Sequence, residues 1–549
     1  MLSTAPLLAE RMDGRPRPGP AARGGRPLPL WAAAPVAVIS GFLLDLAYPS
    51  VGWWPLAFLS VIITLAALIG RSIGGALIVG ISYGAAFMLT HLMWVAQFLG
   101  PVPWIALGLF EAVLIGAGSL LIAMVYRWSD RVLAGRWAQL LVVPVVVAAI
   151  WALREIVVGI WPYTGFPWAR LGMSQSDSPF ADVASWAGVT GLSFLMVLLC
   201  AAALQYARVA RFKDLRTLLP VALLGAVLLL LPRFPTTPAG EMQIGWVQGN
   251  GPSAYFDERE AGEIFAAQAA ATRPLLGQGM DLLVWPEGSV DSDPLTNRST
   301  AAELDELARA ANAPLLVNAA TSRDGATYNT SLLWEKDGGT PQLHDKVNPV
   351  PFGEYVPDRW FYQLLAPELV SLIQREYTPG TNPPYMAVGE RGIGLAICFD
   401  VIYDDVIWQG AQLGAEVFIF QTNNGDFRGT DENLQQLAFA RMRAIETGRA
   451  VVNVSTTGTS QAIGADGSIL EELQNGHAGA RVSVVPLQTG LTPAVVIGPW
   501  LTPALSLGAI AAVIALAVTH RRRGTLPAGR LQSADLEPDP RSPSRRRST

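Results

Sequence analysis

Gly394-Leu395-Ala396-Ile397-Cys398-Phe399-Asp400 is an apolar, strand-like run that delivers a thiol and then a carboxyl at its end. In α/β sheets ligands are held outside the carboxyl ends of the strands, so Cys398 stands where a site is expected. Two further segments have a similar build. Leu282-Leu283-Val284-Trp285-Pro286-Glu287 ends on an acid, and His344-Asp345-Lys346 leads into Pro351-Phe352-Gly353-Glu354-Tyr355-Val356-Pro357. Taken singly, each has a bland explanation: an acid after a strand is usually solvated, and a thiol ending an apolar run usually fills a core. Taken together they supply a carboxylate to accept a thiol proton, a thiol to attack a carbonyl, and an ammonium to hold the oxyanion that forms.

Outward from these segments, short β-rich runs alternate with helical patterns. Met242 to Val247, Asp281 to Trp285, Pro314 to Asn318, Gly394 to Cys398 and Val417 to Gln421 read as strands, and Ala301 to Ala311 and Glu432 to Thr447 as helices. This predicts an α/β domain over residues 240–490, large enough for its own core and without an evident internal repeat.

The rest of the chain is of another kind. Of 549 residues, 51% are hydrophobic and 15% charged, which points to a membrane protein carrying a globular domain. A bilayer crossing takes roughly 20 apolar residues. Seven candidates precede the α/β domain, near 30–47, 54–70, 74–98, 102–126, 137–160, 188–206 and 215–232, and an eighth follows near 498–518. The expected division is therefore a membrane domain over 28–235 and a closing transmembrane helix over 497–519. Arg71, the group Arg127, Arg131 and Arg136, and the group Arg208, Arg211, Lys213 and Arg216 fall in alternate loops, while Pro49 to Trp54 and Gly100 to Pro103 carry no basic residue. By the positive-inside rule both termini are cytoplasmic and the α/β domain lies outside. Residues 1–27 and 520–549, rich in Arg, Pro, Gly and Ser, read as disordered cytoplasmic tails.

Several other chemistries are excluded or weakened. The net charge of −5 has its basic residues in tails and loops, and implies no nucleic-acid partner. Cys200 lies in an apolar run, so neither a disulfide with Cys398 nor a cysteine metal site is expected; His91, His344, His477 and His520 have no paired ligand spacing, and no metal or cofactor is implied. Gly80-Ile81-Ser82-Tyr83-Gly84 fits the G-x-S-x-G elbow, but it sits inside a candidate span, where small residues pack helices together. Glu111, Arg154 and Glu155 lie in or near spans, and Arg154 and Glu155 read equally as boundary residues or substrate contacts. Trp161, Trp168 and Trp186 read first as interfacial belt residues. Asp358 to Gln374, with Trp360 and Phe361, crowds so many large apolar groups that it is either a core helix or a lid dipping into the leaflet.

The Glu287, Lys346 and Cys398 segments, in this order and with these flanks, resemble the nitrilase superfamily. With the apolar spans, the Pro351 to Pro357 segment and Tyr163-Thr164-Gly165-Phe166-Pro167-Trp168, the chain resembles that superfamily's membrane-embedded branch, the bacterial apolipoprotein N-acyltransferases, over nearly its whole length apart from the tails. The resemblance implies an αββα sandwich with a Glu-Lys-Cys triad. Glu287 would be the base, Lys346 would steady the oxyanion with the backbone N–H of Phe399, Cys398 would be acylated, and Glu354 would support Lys346. Asp400 stands where the family often has Glu, a carboxylate shorter by one methylene. Trp168 would lie beneath the site, with Tyr328 and Asn329 lining or bracing it and Trp360 and Phe361 meeting substrate. The implied reaction carries a fatty acyl chain from a membrane phospholipid to the N-terminal amine of a diacylglyceryl apolipoprotein, in a multi-pass monomer of the bacterial plasma membrane. A membrane-tethered amidase acting on a small amide or nitrile is the alternative, and an inert scaffold domain a third class.

Overall fold

The computed structural model describes residues 28–209 and 214–524. The two expected tails up to residue 27 and from 525 onward, with Arg211 and Lys213, lie outside the described residues.

The apolar runs form helices. Ile73–His91, Pro101–Val132, Arg136–Val158, Ala181–Val209 and Pro493–Arg523 are long and apolar enough to cross a membrane. Leu30–Asp45, Pro55–Leu68 and Leu215–Leu230 are apolar but shorter, at 10–17 residues. Eight crossings therefore do not follow from helix length alone. The expected span over 74–98 breaks after His91, and a separate short helix occupies Val95–Leu99. Gly80 and Gly84 are packing positions: a Cβ on either would collide with Ser119, Gly116, Ala112 or Ile115 of the neighbouring helix, so the G-x-S-x-G match lets two helices approach closely.

The basic loops gather at one end of the bundle. Arg136 pairs with Asp214 at 2.6 Å, Arg208 with Asp130 at 3.7 Å, and Arg523 donates to the carbonyl of Arg131 at 2.9 Å.

The α/β region is an αββα sandwich of two six-stranded sheets. Its strands are β1 (Thr237–Gln248), β2 (Leu282–Val284), β3 (Leu315–Arg323), β4 (Ala326–Trp334), β5 (Gln342–Asp345), β6 (Tyr385–Val388), β7 (Arg391–Ile397), β8 (Val417–Thr422), β9 (Ala450–Ser455), β10 (Ser460–Ile463), β11 (Ile469–Leu473) and β12 (Gly479–Thr489). The strand orders are β12-β1-β2-β3-β4-β5 and β6-β7-β8-β9-β10-β11. Taken in those orders, both sheets pair antiparallel, parallel, parallel, antiparallel, antiparallel. The sandwich is thus two copies of one topology, a repeat that strand pairing displays and residue identity conceals.

Alternation along the strands puts Ile244, Trp246, Leu282, Val284, Leu316, Ile393, Leu395, Val417, Ile419 and Val452 between the sheets. The outer face of the first sheet carries helices Glu263–Thr272 and Arg298–Ala311. The outer face of the second carries Asp404–Gln412 and Glu432–Thr447, and these pack on the membrane helices in one continuous core with Trp168, Val183, Met196, Trp408, Phe418, Phe420 and Phe439. The strands of the sandwich run from Thr237 to Thr489, starting a few residues before the expected 240–490, and the closing helix Pro493–Gly524 extends a few residues past both ends of the expected 497–519.

Candidate active site

Cys398 follows β7 directly and opens a 3₁₀ turn, Cys398–Ile402, with a left-handed backbone (φ +48°). That conformation costs an L-residue about 1–2 kcal/mol and must be held by its surroundings. Two sets of groups hold it. On the sandwich side, the Asp400 carboxylate accepts from the backbone N–H of Val347 (3.1 Å) and Asn348 (2.8 Å) and from the Asn348 side chain (3.1 Å). The shorter acid thus ties the Lys346 loop to the Cys398 turn; burial lifts its carboxyl to about 6, against the pull of Lys346 and these N–H donors. On the membrane side, Arg443 donates to the carbonyls of Val401 (2.9 Å) and Ile402 (3.0 Å), and Arg170 also reaches Ile402 (3.0 Å). Both arginines bind Asp404 at 2.7 Å, and Arg443 also pairs with Glu446.

Glu287, three residues past β2, and Lys346, directly after β5, meet at 3.1 Å. Glu354, from the loop after Lys346, lies 2.9 Å from the same ammonium. Asn329 on β4 donates to both carboxylates, at 2.8 Å to Glu287 and 2.9 Å to Glu354; its own carbonyl accepts from Asn318, whose carbonyl in turn takes the backbone N–H of Gly288. Lys346 is 1% exposed, Glu287 7% and Glu354 8%. So deep a burial would lower the Lys346 ammonium, but the two glutamates outweigh it and hold it well above the ordinary lysine range. Burial pushes the Cys398 thiol well up, Glu287 adds to the rise, and Lys346 opposes it. The cluster therefore unites buried carboxylates, a cation and a thiol whose ionisation burial and Glu287 oppose and Lys346 favours. Such a set suits covalent acyl chemistry.

The structure brings Glu287, Lys346, Glu354, Asn329 and Cys398 together, with Asp400 behind the thiol. Phe399 is buried and stacks on Phe166 of the membrane domain (5.9 Å between ring centroids). Trp168 lies wholly inside the seam between bundle and sandwich, donating to Gln435 at 2.6 Å and stacking on Phe166, and is no belt residue. Tyr328 does not join the cluster. Successive strand residues face opposite ways, so Asn329 points at Glu287 while the Tyr328 ring sits under the Arg323 guanidinium, 4.4 Å away. Trp360 and Phe361, on helix Arg359–Leu365, are 72% and 42% exposed, and Leu364 and Leu365 lie open beside them. This segment is not a core helix; it rests through Val370 and Ile373 on Phe98, Leu99 and Phe352.

Sequence reasoning missed a polar group beside the thiol. Gln436 Nε2 lies 3.5 Å from Cys398 Sγ, Asn424 binds Gln436, and Glu432 binds Asn424. A signal was available: Asn423-Asn424-Gly425 follows β8 as Glu287 follows β2 and Cys398 follows β7.

Residues 40–202 match the Apolipoprotein N-acyltransferase N-terminal domain, and residues 247–494 match the Carbon-nitrogen hydrolase family. An apolipoprotein N-acyltransferase of Mycolicibacterium smegmatis is 29% identical over 537 residues, covering 89% of this chain and 85% of that one. One of Azotobacter vinelandii is 30% identical over 493 residues, covering 85% and 91%. Among solved structures, the CN-hydrolase superfamily protein XC1258 of Xanthomonas campestris is 17% identical with a TM-score of 0.35, covering 49% of this chain and 97% of that one.

Proposed function

Because the chain belongs to the apolipoprotein N-acyltransferase family, we propose that it moves a fatty acyl chain from a membrane phospholipid, through a thioester on Cys398, to the α-amine of a diacylglyceryl-modified N-terminal cysteine. The observation that carries this reading is the buried meeting of Glu287, Lys346 and Glu354 beside a thiol whose turn is seated on membrane helices.

In the first half-reaction Glu287 takes the Sγ proton and the thiolate attacks an ester carbonyl of the phospholipid. Lys346 and the Phe399 N–H hold the oxyanion. The C–O bond then breaks, and the lysophospholipid leaves with the proton that Glu287 returns. In the second, the free amine attacks the thioester carbonyl, the C–S bond breaks with its electron pair on sulfur, and Glu287 passes the amine proton to that sulfur. Glu354 and Asn329 hold Lys346 and Glu287 in register, and Asp400 holds the turn. Trp168 shapes the floor of the site, and Trp360 and Phe361 meet lipid.

Membrane seating gives the scheme its physical sense. Each methylene of an acyl chain contributes about 0.8 kcal/mol to membrane residence, so a site at the leaflet acts without extracting its substrates. The clustering of Arg131, Arg136, Arg208 and Arg523 at one end of the bundle supports a cytoplasmic position for that end, with the sandwich on the outer face and both termini inside. Intact mass spectrometry after incubation with phospholipid tests the reaction. A gain of one acyl chain that vanishes in Cys398→Ala is expected; active protein without the gain refutes the transferase, and turnover of small amides without it favours the amidase.

A further inference from the structure

Glu432 is a further buried carboxyl near Cys398 that the scheme above does not use. It opens helix Glu432–Thr447 and is 3% exposed. Asn424 Nδ2 has two hydrogens, and both are committed: one to Glu432 Oε2 at 2.7 Å, the other to Gln436 Oε1 at 2.9 Å. The Asn424 carbonyl accepts from Ser455 Oγ at 2.5 Å, which orients the amide with its N–H groups toward Glu432 and Gln436. Gln436 must then face Asn424 with its carbonyl and Cys398 with its N–H, and Nε2 lies 3.5 Å from Sγ.

We propose that Gln436 is a further catalytic residue whose Nε2–H donates to the Cys398 sulfur, and that Asn424 and Glu432 are positioning residues that lock its amide in the donor orientation. The proposal rests on the acyl-transfer reading for its place in the reaction. A donor at sulfur favours thiolate over thiol. Cys398 needs that help, because burial raises its thiol, Glu287, Glu432 and Glu354 raise it further, and Lys346 opposes them. In the first half-reaction the N–H steadies the sulfur as its proton passes to Glu287. In the second it receives the electron pair left on sulfur when the C–S bond breaks. Burial lifts the Glu432 carboxyl to about 8 against the Asn424 hydrogen bond, with Glu287 adding to the rise.

The test is the pH profile of Cys398 alkylation by iodoacetamide in the full-length protein in detergent, read by peptide mass. One hydrogen bond to a charged acceptor corresponds to a shift of about one pH unit. Gln436→Met is expected to raise the midpoint by about one unit, and Gln436→Glu, which turns an acceptor toward sulfur, by more. Both Glu432 variants remove a charge that raises the thiol, but Glu432→Gln keeps an acceptor for Asn424 and Glu432→Met does not, so the midpoint of Glu432→Met should lie about one unit above that of Glu432→Gln. An unchanged midpoint in folded Gln436→Met, or equal shifts in the two Glu432 variants, overturns the proposal; should Gln436→Met not fold, the Glu432 pair decides. Alkylation needs no lipid. Protein that alkylates as expected yet takes no acyl chain from phospholipid would sink the acyl-transfer reading and leave this donor standing.

Discussion

Lys346→Met removes the cation that bridges Glu287 and Glu354 and leaves a side chain of similar length in its place. At separations of about 3 Å each ion pair has a gross attraction of roughly 5 kcal/mol at an effective dielectric near 20. Desolvation offsets much of that, so removing one buried partner should destabilise the protein by about 3–5 kcal/mol. The pH dependence gives a sharper test. Because Lys346 is held above its unfolded value of about 10.4, its contribution is fully present below that value and is lost only as pH rises through the folded one. Between pH 5.5 and 8 the wild type therefore gains and loses nothing from Lys346 itself. In the variant, two buried carboxyls face each other without a cation, so one must bind a proton to stay buried, and stability falls as pH rises. The gap in thermal midpoint between wild type and Lys346→Met, followed in detergent, should be wider at pH 8 than at pH 5.5. Lys346→Met/Glu354→Gln should recover part of it. On the proposed mechanism, in which Lys346 holds the oxyanion, acyl-enzyme formation should fall about 10²–10³-fold in both. A pH-independent gap, or no recovery in the double variant, would refute the ion-pair account.

Cys398→Ser should fold and insert yet form no acyl-enzyme, because the same carboxylate cannot generate an alkoxide as it does a thiolate; near-normal turnover in purified protein would remove Cys398 from the mechanism. Replacing exposed Trp360 and Phe361 with Ser should leave the thermal midpoint in place and slow acylation from vesicles while sparing a small soluble ester. Equal loss of both reactions with a lowered midpoint would return the segment to the core. Asp404→Asn should destabilise the protein at neutral pH. Burial pushes that carboxyl up, but Arg170 and Arg443 outweigh it and hold it below its ordinary value, so its contribution is present above about pH 3.9 and lost as pH falls through the folded value; a gap between variant and wild type that does not narrow toward acid pH would contradict the pairing. Protease added to intact spheroplasts should cut within 240–490 and spare the termini, and the reverse pattern would overturn the topology.

The elements legible in the sequence are those whose burial has a simple period. β1, β2, β3, β7 and β8 are apolar runs, and Glu287 and Cys398 were found because they follow such runs. Glu432–Thr447 was legible as a helix but not as a wall of the site. Glu432, Asn433, Gln435, Gln436, Arg443 and Glu446 are all buried, because the helix is enclosed between the second sheet and the membrane bundle. Polar residues at helical spacing ordinarily signal a solvated face, so the sequence concealed Gln436 and Arg443 together. The misplacement of Tyr328 has a different origin: one step of register on β4 separates a side chain aimed at Glu287 from one aimed away. The short helices Leu30–Asp45, Pro55–Leu68 and Leu215–Leu230 show a third limit, since hydropathy marks apolar stretches and cannot tell how much of each is helix.

The seating of the sandwich bears on the nucleophile itself. A left-handed cysteine persists only if its neighbours over-determine it. Asp400 fixes one side of the turn through the Lys346 loop, so the base, the cation and the thiol share one set of constraints. Arg443 and Arg170 fix the other side through the carbonyls of Val401 and Ile402, and Arg170 belongs to the membrane domain. Loss of the Arg170 contact would remove one of the two grips on the Ile402 carbonyl while leaving those of Arg443 in place. The bundle therefore does more than hold the sandwich near lipid. Through Arg170 and the stacking of Phe166 on Phe399 it helps fix the turn that carries Sγ, and the placement of the thiol is a joint property of both domains.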